Sequence, residues 1–203
     1  MRSLFSGIMI TGCVLTLLNC GDRNAPRQQT TFTRLDSLTD YYLGLQDSML
    51  LAWNIMIHDD NQKVKAMHNL LHELTVSASA DPEQLEGYEQ RLEQLLRLRY
   101  TQKTMANADV VEEYDFASNS LVTELITTAE SQPQFQYNST LQKLADEIRM
   151  ADQRVYIYRD DYDAIVAAYN RFLEENREDI SAIDIQPTIE KKPLFQMVAD
   201  EKE

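Results

Sequence analysis

Residues 139–172 read STLQKLADEIRMADQRVYIYRDDYDAIVAAYNRF. Within them Leu141, Ile148, Val155, Tyr162 and Tyr169 stand seven apart, and Leu144, Ala151, Tyr158, Ile165 and Phe172 repeat that spacing three residues on. Apolar side chains at two positions of each heptad form one stripe on an α-helix. Five unbroken heptads impose a left-handed supercoil on neighbours of similar length. The run predicts a helix of about 40 residues, roughly 60 Å long at 1.5 Å per residue. Ser139 with Gln142 has the spacing of a capping box at its start. One helix of this length cannot bury its own stripe, so other helices must lie along it.

Upstream, Leu35, Leu38, Tyr42, Leu45, Met49, Ala52 and Met56 hold the same kind of stripe for three heptads. His58-Asp59-Asp60-Asn61 reads as an interruption, with Asp or Asn capping a second helix on Val64, Met67, Leu70, Leu71 and Leu74. Asp81-Pro82-Glu83-Gln84 is a restart, with Asp as N-cap and Pro at the first helical position. Residues 76–84 are open between a kink and a true break. Leu85, Tyr88, Leu92, Leu95 and Leu96 carry the next stripe to about Lys103. Asp109 with Glu112 has capping-box spacing ahead of a helix on Val111, Tyr114, Leu121, Val122, Leu125 and Ile126, which Gln132-Pro133 stops. With 5 Gly and 5 Pro in 203 residues there is little turn material for an all-β chain. The expected fold is all-α: a long antiparallel four-helix bundle over residues 32–182 with coiled-coil-like heptad packing. Residues 183–203, with Pro187 and Pro193, read as an irregular tail whose Phe195 and Met197 dock on the bundle.

The N-terminus reads as an address. Arg2 precedes a mostly apolar run from Leu4 to Leu18, the length of a signal peptide and short of the about 20 residues a membrane span needs. Leu17-Leu18-Asn19-Cys20 resembles the lipobox of bacterial lipoproteins, which makes residues 1–19 a signal peptide and Cys20 the lipid anchor. Cys13, after Ile10-Thr11-Gly12, is the alternative anchor; an uncleaved anchor or a plain secretory peptide are the other readings. Residues 20–31 then form the anchored cysteine and a polar tether. The expected location is the bacterial cell envelope, with the body extracytoplasmic (periplasmic) and lipid-anchored, in the inner or the outer membrane. One modified cysteine leaves no disulfide framework.

Charge and motif content exclude several functions. A net charge of −14 and a pI near 4.6 oppose both nucleic-acid binding and docking on anionic lipid. There is no glycine-rich phosphate loop, no nucleophile elbow and no free catalytic cysteine, so neither enzymatic activity nor a cofactor is expected. His68 and His72 share a helical face at i and i+4 but lack an evident third ligand, so no metal site is expected. A di-iron carboxylate bundle needs Glu three residues before His, and those positions hold Ile55, Lys65 and Asn69. Asp160, Asp161 and Asp163 read as a solvated face paired with Arg154 and Arg159. Those arginines flank the seam and are expected to reach neighbouring carboxylates such as Glu112, Glu113 or Glu124. Tyr162 and Tyr169 fill layers with their hydroxyls at the rim, and Trp53 caps the layers. A sharper reading has Trp53, Tyr162, Tyr169 and Asn170 bordering a groove that receives a partner segment.

Several motifs also carry a family resemblance. They are Asp152-Gln153-Arg154-Val155, Arg159, Tyr162-Asp163-Ala164-Ile165-Val166 and Tyr169-Asn170, with Pro133, Phe135, Asn138, Leu141, Leu144, Glu147 and Ile148 upstream. Ala52-Trp53, Asn69-Leu70-Leu71 and Lys192-Pro193-Leu194-Phe195 complete the set. In these residues the chain resembles the LemA family of bacterial envelope proteins from Asp40 to Lys192 onward. It departs from the family at Gln62-Lys63, His68 and Ile57, where Arg-Arg, Pro and Asp are usual. The resemblance makes Trp53, Asn69, Pro133, Asn138, Arg154, Arg159, Tyr162, Tyr169 and Asn170 the signature residues. It implies a long helical bundle outside the cytoplasm, with the lipid standing in for the family's usual membrane helix, and no established activity. The expected function is a lipid-anchored scaffold or adaptor whose acidic rod binds another envelope protein. The alternative is a binding module that holds a small molecule or cation in the bundle core. The oligomeric state is open.

Overall fold

The heptad-bearing stretch forms a single helix, Ser139–Glu175. In the computed structural model, residues 33–77, 80–181 and 190–195 are described. They form α1 (Arg34–Val76), α2 (Pro82–Arg97), α3 (Ala108–Glu130), α4 (Ser139–Glu175) and the short α5 (Arg177–Ser181), with no strand among the described residues. The expected signal peptide, Cys13, Cys20, the tether and Met197 lie outside the described residues. None of the described helices is long and apolar enough to cross a membrane.

Helix α4 is capped one residue earlier than the sequence suggests. Asn138 Oδ1 accepts from the backbone N–H groups of Thr140 and Leu141, at 3.0 and 3.1 Å. Gln142 does not close a box with Ser139; its side-chain amide donates to the Phe135 carbonyl at 3.0 Å. Along the helix Leu141, Ile148, Tyr162 and Tyr169 are buried and Val155 is half-buried. The second seam is mixed. Ala151 and Phe172 are buried as expected, whereas Leu144, Tyr158 and Ile165 are half-buried and Ala145, Val166 and Leu173 are buried as well. A helix with 3.6 residues per turn drifts past a strict seven-residue period, so the i+4 neighbour shares the seam with i+3.

The predicted interruption at His58–Asn61 is absent, and α1 runs unbroken for 43 residues. Asp59 and Asp60 do not cap a new helix because tertiary partners engage them. Asp59 accepts from Arg154 at 2.7 Å. Asp60 takes the Tyr114 hydroxyl at 2.6 Å, with Arg99 at 3.1 Å and Lys63 at 3.7 Å. Carboxylates held this way do not compete for the helix backbone. Residues 76–84 hold a break, since α1 stops at Val76 and Asp81 caps α2 by accepting the Glu83 N–H at 3.1 Å. Helix α2 ends at Arg97 rather than near Lys103, because Thr101 and Thr104 exchange side-chain-to-backbone hydrogen bonds around a 3₁₀ turn. Asn107 caps α3 by accepting the Asp109 N–H, which places the predicted Asp109–Glu112 box inside the helix.

Helices α1 and α4 lie together along most of their length. Tyr42 meets Tyr169, Trp53 meets Tyr162, Asp59 meets Arg154, and Glu73 meets Asn138, so residue numbers fall on α4 as they rise on α1. Helices α2 and α3 join this pair over one half only. Lys63 reaches Ser118, Arg149 reaches Glu130, and Tyr88 reaches Thr128 across α2 and α3. The buried residues of α1 are accordingly concentrated there: Met56, Lys63, Val64, Ala66, Met67, Leu70, Leu71 and Leu74, against Tyr42 and Met49 in the first half. Residues 190–195 return along α4 beside that first half. Phe195 docks there as expected.

Candidate functional site

Arg159, Asp163, Val166 and Asn170 sit at i, i+4, i+7 and i+11 of α4 and so share one face. Each has a defined environment. The Arg159 guanidinium makes a bidentate pair with Asp115, both contacts at 2.7 Å, and donates to the Tyr100 hydroxyl at 2.9 Å. Burial works against its charge, yet the hydrogen bonds and charges of Asp115 and Tyr100 hold its pKa above the ordinary arginine value. Burial likewise raises Tyr100, against the opposing pull of Arg159. The same guanidinium lies 4.8 Å from the centre of the Phe195 ring, within cation–π range. Asp163 is only 5% exposed and accepts the Phe195 N–H at 2.9 Å. Asn170 pairs with both backbone groups of Lys192: its amide donates to the carbonyl and its oxygen accepts the N–H, each at 2.8 Å.

Phe195 completes an aromatic cluster. Its ring meets Tyr100 and Tyr162 edge-on, with centroids 5.8 and 5.7 Å away. Trp53 meets the same two tyrosines at 6.1 and 5.6 Å, and Tyr114 stands perpendicular to Tyr100. Burial, then the charge of Asp163, pushes the Tyr162 hydroxyl up to about 12. Beside Trp53, Tyr162 and Asn170, where the sequence reading places a groove for a partner segment, lies the chain's own closing segment. Tyr169 is not part of this cluster. Its buried ring packs on Tyr42 at 5.9 Å, and burial followed by a hydrogen bond with Tyr42 raises its pKa.

The remaining signature residues are dispersed. Arg154 pairs with Asp59, and the hydrogen bond holds its pKa above the ordinary value. Asn138 caps α4 and donates to Glu73 at 3.0 Å. Asn69 is exposed beside a shallow hollow of about 320 Å³ that Arg154 and Glu147 also line. Pro133 is exposed in the turn after α3. Three sequence readings need correction here. Asp163 does not belong to a solvated face, although Asp160 and Asp161 are exposed. Arg154 and Arg159 pair with Asp59 and Asp115, not with one another's acidic neighbours on α4. Nor do they pair with Glu112, Glu113 or Glu124; Glu124 belongs to Arg91, whose hydrogen bond lowers its pKa.

Sequence reasoning also missed Tyr100, Asp115 and Lys63. Lys63 is buried and donates to Ser118 at 2.9 Å, with Asp152 at 3.4 Å. One signal was available for it: Met49, Met56, Lys63 and Leu70 continue a seven-residue period through the supposed break. His68 and His72 line an open hollow of about 550 Å³ with Glu86 and Glu89, and His68 lies 4.0 Å from Glu89. No group of three or more His, Cys, Asp or Glu among the described residues is arranged to hold a metal ion.

A second surface feature lies across the α1–α4 seam from Phe195. Leu51 and Ile55 of α1, 62% and 44% exposed, face Tyr158 and Ile165 of α4 across a hollow of about 470 Å³. Ser48, Ala52 and Ala164 keep its floor shallow, and Asp161 stands at its edge.

Comparison with known proteins bears on the whole arrangement. In comparisons with curated proteins and with solved structures, nothing matches. Residues 62–203 match the model of the LemA family, a span that holds α2, α3, α4 and the closing segment and leaves Trp53 upstream. With more than half of its length matched, the chain belongs to the LemA family.

Proposed function

We propose that this protein is a scaffold or adaptor of the bacterial cell envelope. In this reading it is an antiparallel four-helix bundle held to a membrane by lipid on Cys20, and it binds another envelope protein. The observation that supports the reading is the apolar groove of Leu51, Ile55, Tyr158 and Ile165. Contiguous apolar surface of this kind on a charged protein marks an interaction site. A furrow between two parallel helix axes suits a third amphipathic helix, anchored at i, i+3, i+4 and i+7. Charge narrows the occupant. Between Arg34 and Lys63 helix α1 carries no Lys or Arg, Asp40 and Asp47 are exposed on its first half, and Asp161 lines the groove. The partner is therefore an apolar helix flanked by Lys or Arg, with complementary charge steering its approach.

A photo-crosslinking residue at Leu51, in the full chain within its own membrane, tests this. The expected product is one envelope protein joined through an apolar stretch with basic ends. Ile55→Asp abolishes that product while circular dichroism stays unchanged. Cross-linking to lipid, to a second copy of this chain or to nothing overturns the reading.

A further inference from the structure

We infer that Arg159, Tyr162, Asp163 and Asn170 form a binding site for extended peptides of the Pro-aliphatic-aromatic type, filled in this chain by its own residues 192–195. The site lies across the α1–α4 seam from the groove of the proposed adaptor and does not depend on that reading.

The first argument is geometric. Asn170 and Asp163 are seven residues apart on α4, about 10.5 Å at 1.5 Å per residue. Their backbone partners, Lys192 and Phe195, are three apart in the segment, about 10 Å with residues 192–194 drawn out, and Phe195 itself is helical. Two helical turns thus match one extended tripeptide step, with the segment running opposite to α4. The second argument is chemical. Asn170 uses its amide as a backbone mimic, engaging both the N–H and the C=O of Lys192. Such contacts read the main chain and ignore the side chain they pass. Pro193 has no N–H to satisfy and favours an extended backbone. Asp163 is a buried carboxylate that accepts the N–H of Phe195, two residues beyond Pro193. Burying a carboxylate is costly unless hydrogen bonds repay it, whereas an apolar residue would serve if packing alone mattered.

Selectivity resides in the last residue. The Phe195 ring is 9% exposed, between the edges of Tyr100 and Tyr162 and under the Arg159 guanidinium. That pocket suits an aromatic ring in both shape and charge. A segment in the same chain competes at an effective concentration on the order of millimolar, so an external peptide is shut out while Phe195 is seated. The closing segment therefore acts as a competitive plug for its own site.

The test uses the full chain and a fluorescein-labelled peptide of residues 190–197, EKKPLFQM, followed by anisotropy. Emission from Trp53, the single tryptophan, gives an independent readout through its contacts with Tyr100 and Tyr162. Phe195→Ala is expected to bind the peptide at least tenfold more tightly than the unaltered chain. The peptide with Ala in place of Phe is expected not to bind, and adding Asn170→Ala to the variant is expected to weaken binding at least tenfold. Phe195→Leu keeps an apolar group in the pocket and serves if Phe195→Ala does not fold; at least threefold tighter binding than the unaltered chain is expected there. Equal binding to the variant and the unaltered chain overturns the proposal, as does no binding by a folded variant. Loss of fold in both variants overturns it as well, since the segment is then core and not ligand.

Discussion

Arg159 shows how a charge is kept among these helices. Its guanidinium has both forks on Asp115, a hydroxyl from Tyr100 and the Phe195 ring against its face. Removing one partner of a buried pair is far more damaging than replacing both with apolar groups, because the survivor is left uncompensated. Asp115→Ala is expected to cost about 3 kcal/mol, the low end of the buried-pair range, because Asp115 keeps about a third of its side chain in water. The double variant Asp115→Leu with Arg159→Met is expected to recover most of that loss. Urea midpoints for the two variants and the parent decide the matter. A loss under about 0.5 kcal/mol in Asp115→Ala would make the pair an ordinary surface contact. That arginines on α4 would be paired was legible from residue types and spacing. Their partners were not, because Asp59 and Asp115 lie far away in sequence and meet α4 only through the register of α1 and α3.

At the scale of elements, the seam of α4 and the existence of the four main helices were readable from apolar periodicity. Their ends and continuity were read less well, for identifiable reasons. Lys63 occupies a position where the period calls for an apolar residue, which made the run of polar residues before it look like a break. Capping is ambiguous wherever two capable residues adjoin, as Asn138 and Ser139 do. The hydrogen bonds assign the cap to Asn138. Asn138→Ala is therefore expected to destabilise the chain by about 1 kcal/mol, the usual value of a side-chain N-cap. The loss of its bond to Glu73 adds to this. Ser139→Ala is expected to stay within about 0.5 kcal/mol, as exposed substitutions without a special role do. Thermal melts of both variants check the assignment, and the reverse order would restore Ser139 as the cap. The sequence singles out Trp53, Tyr162 and Asn170, and the closing segment packs beside them. The placement of that segment was harder to see, since nothing local in Lys192-Pro193-Leu194-Phe195 indicates which helix face receives it.

Across the whole described body, cover is uneven, and stability should follow it. From Met56 to Val76 helix α1 is flanked by α2 and α3 as well as α4, and Met67, Leu70 and Leu74 are sealed from water. From Arg34 to Ile55 it has α4 on one side, and Leu43, Leu50, Leu51 and Ile55 remain exposed. At about 25 cal/mol per Å² of apolar surface removed from water, the covered half gains far more from folding than the uncovered half. Segments with few buried apolar contacts open at lower free energy than the core of the same protein. Amide hydrogen exchange on the full chain is therefore expected to divide α1 within its own length. Amides from Val64 to Leu74 should exchange near the limit set by global unfolding. Those from Leu38 to Leu51 should exchange at least tenfold faster, although they belong to the same unbroken helix. On α4 the same contrast should separate residues 141–151 from residues 165–173. Uniform protection along α1 would mean that the exposed apolar face is covered by something else in solution, and a partner bound in the Leu51–Ile165 groove should produce that protection when added.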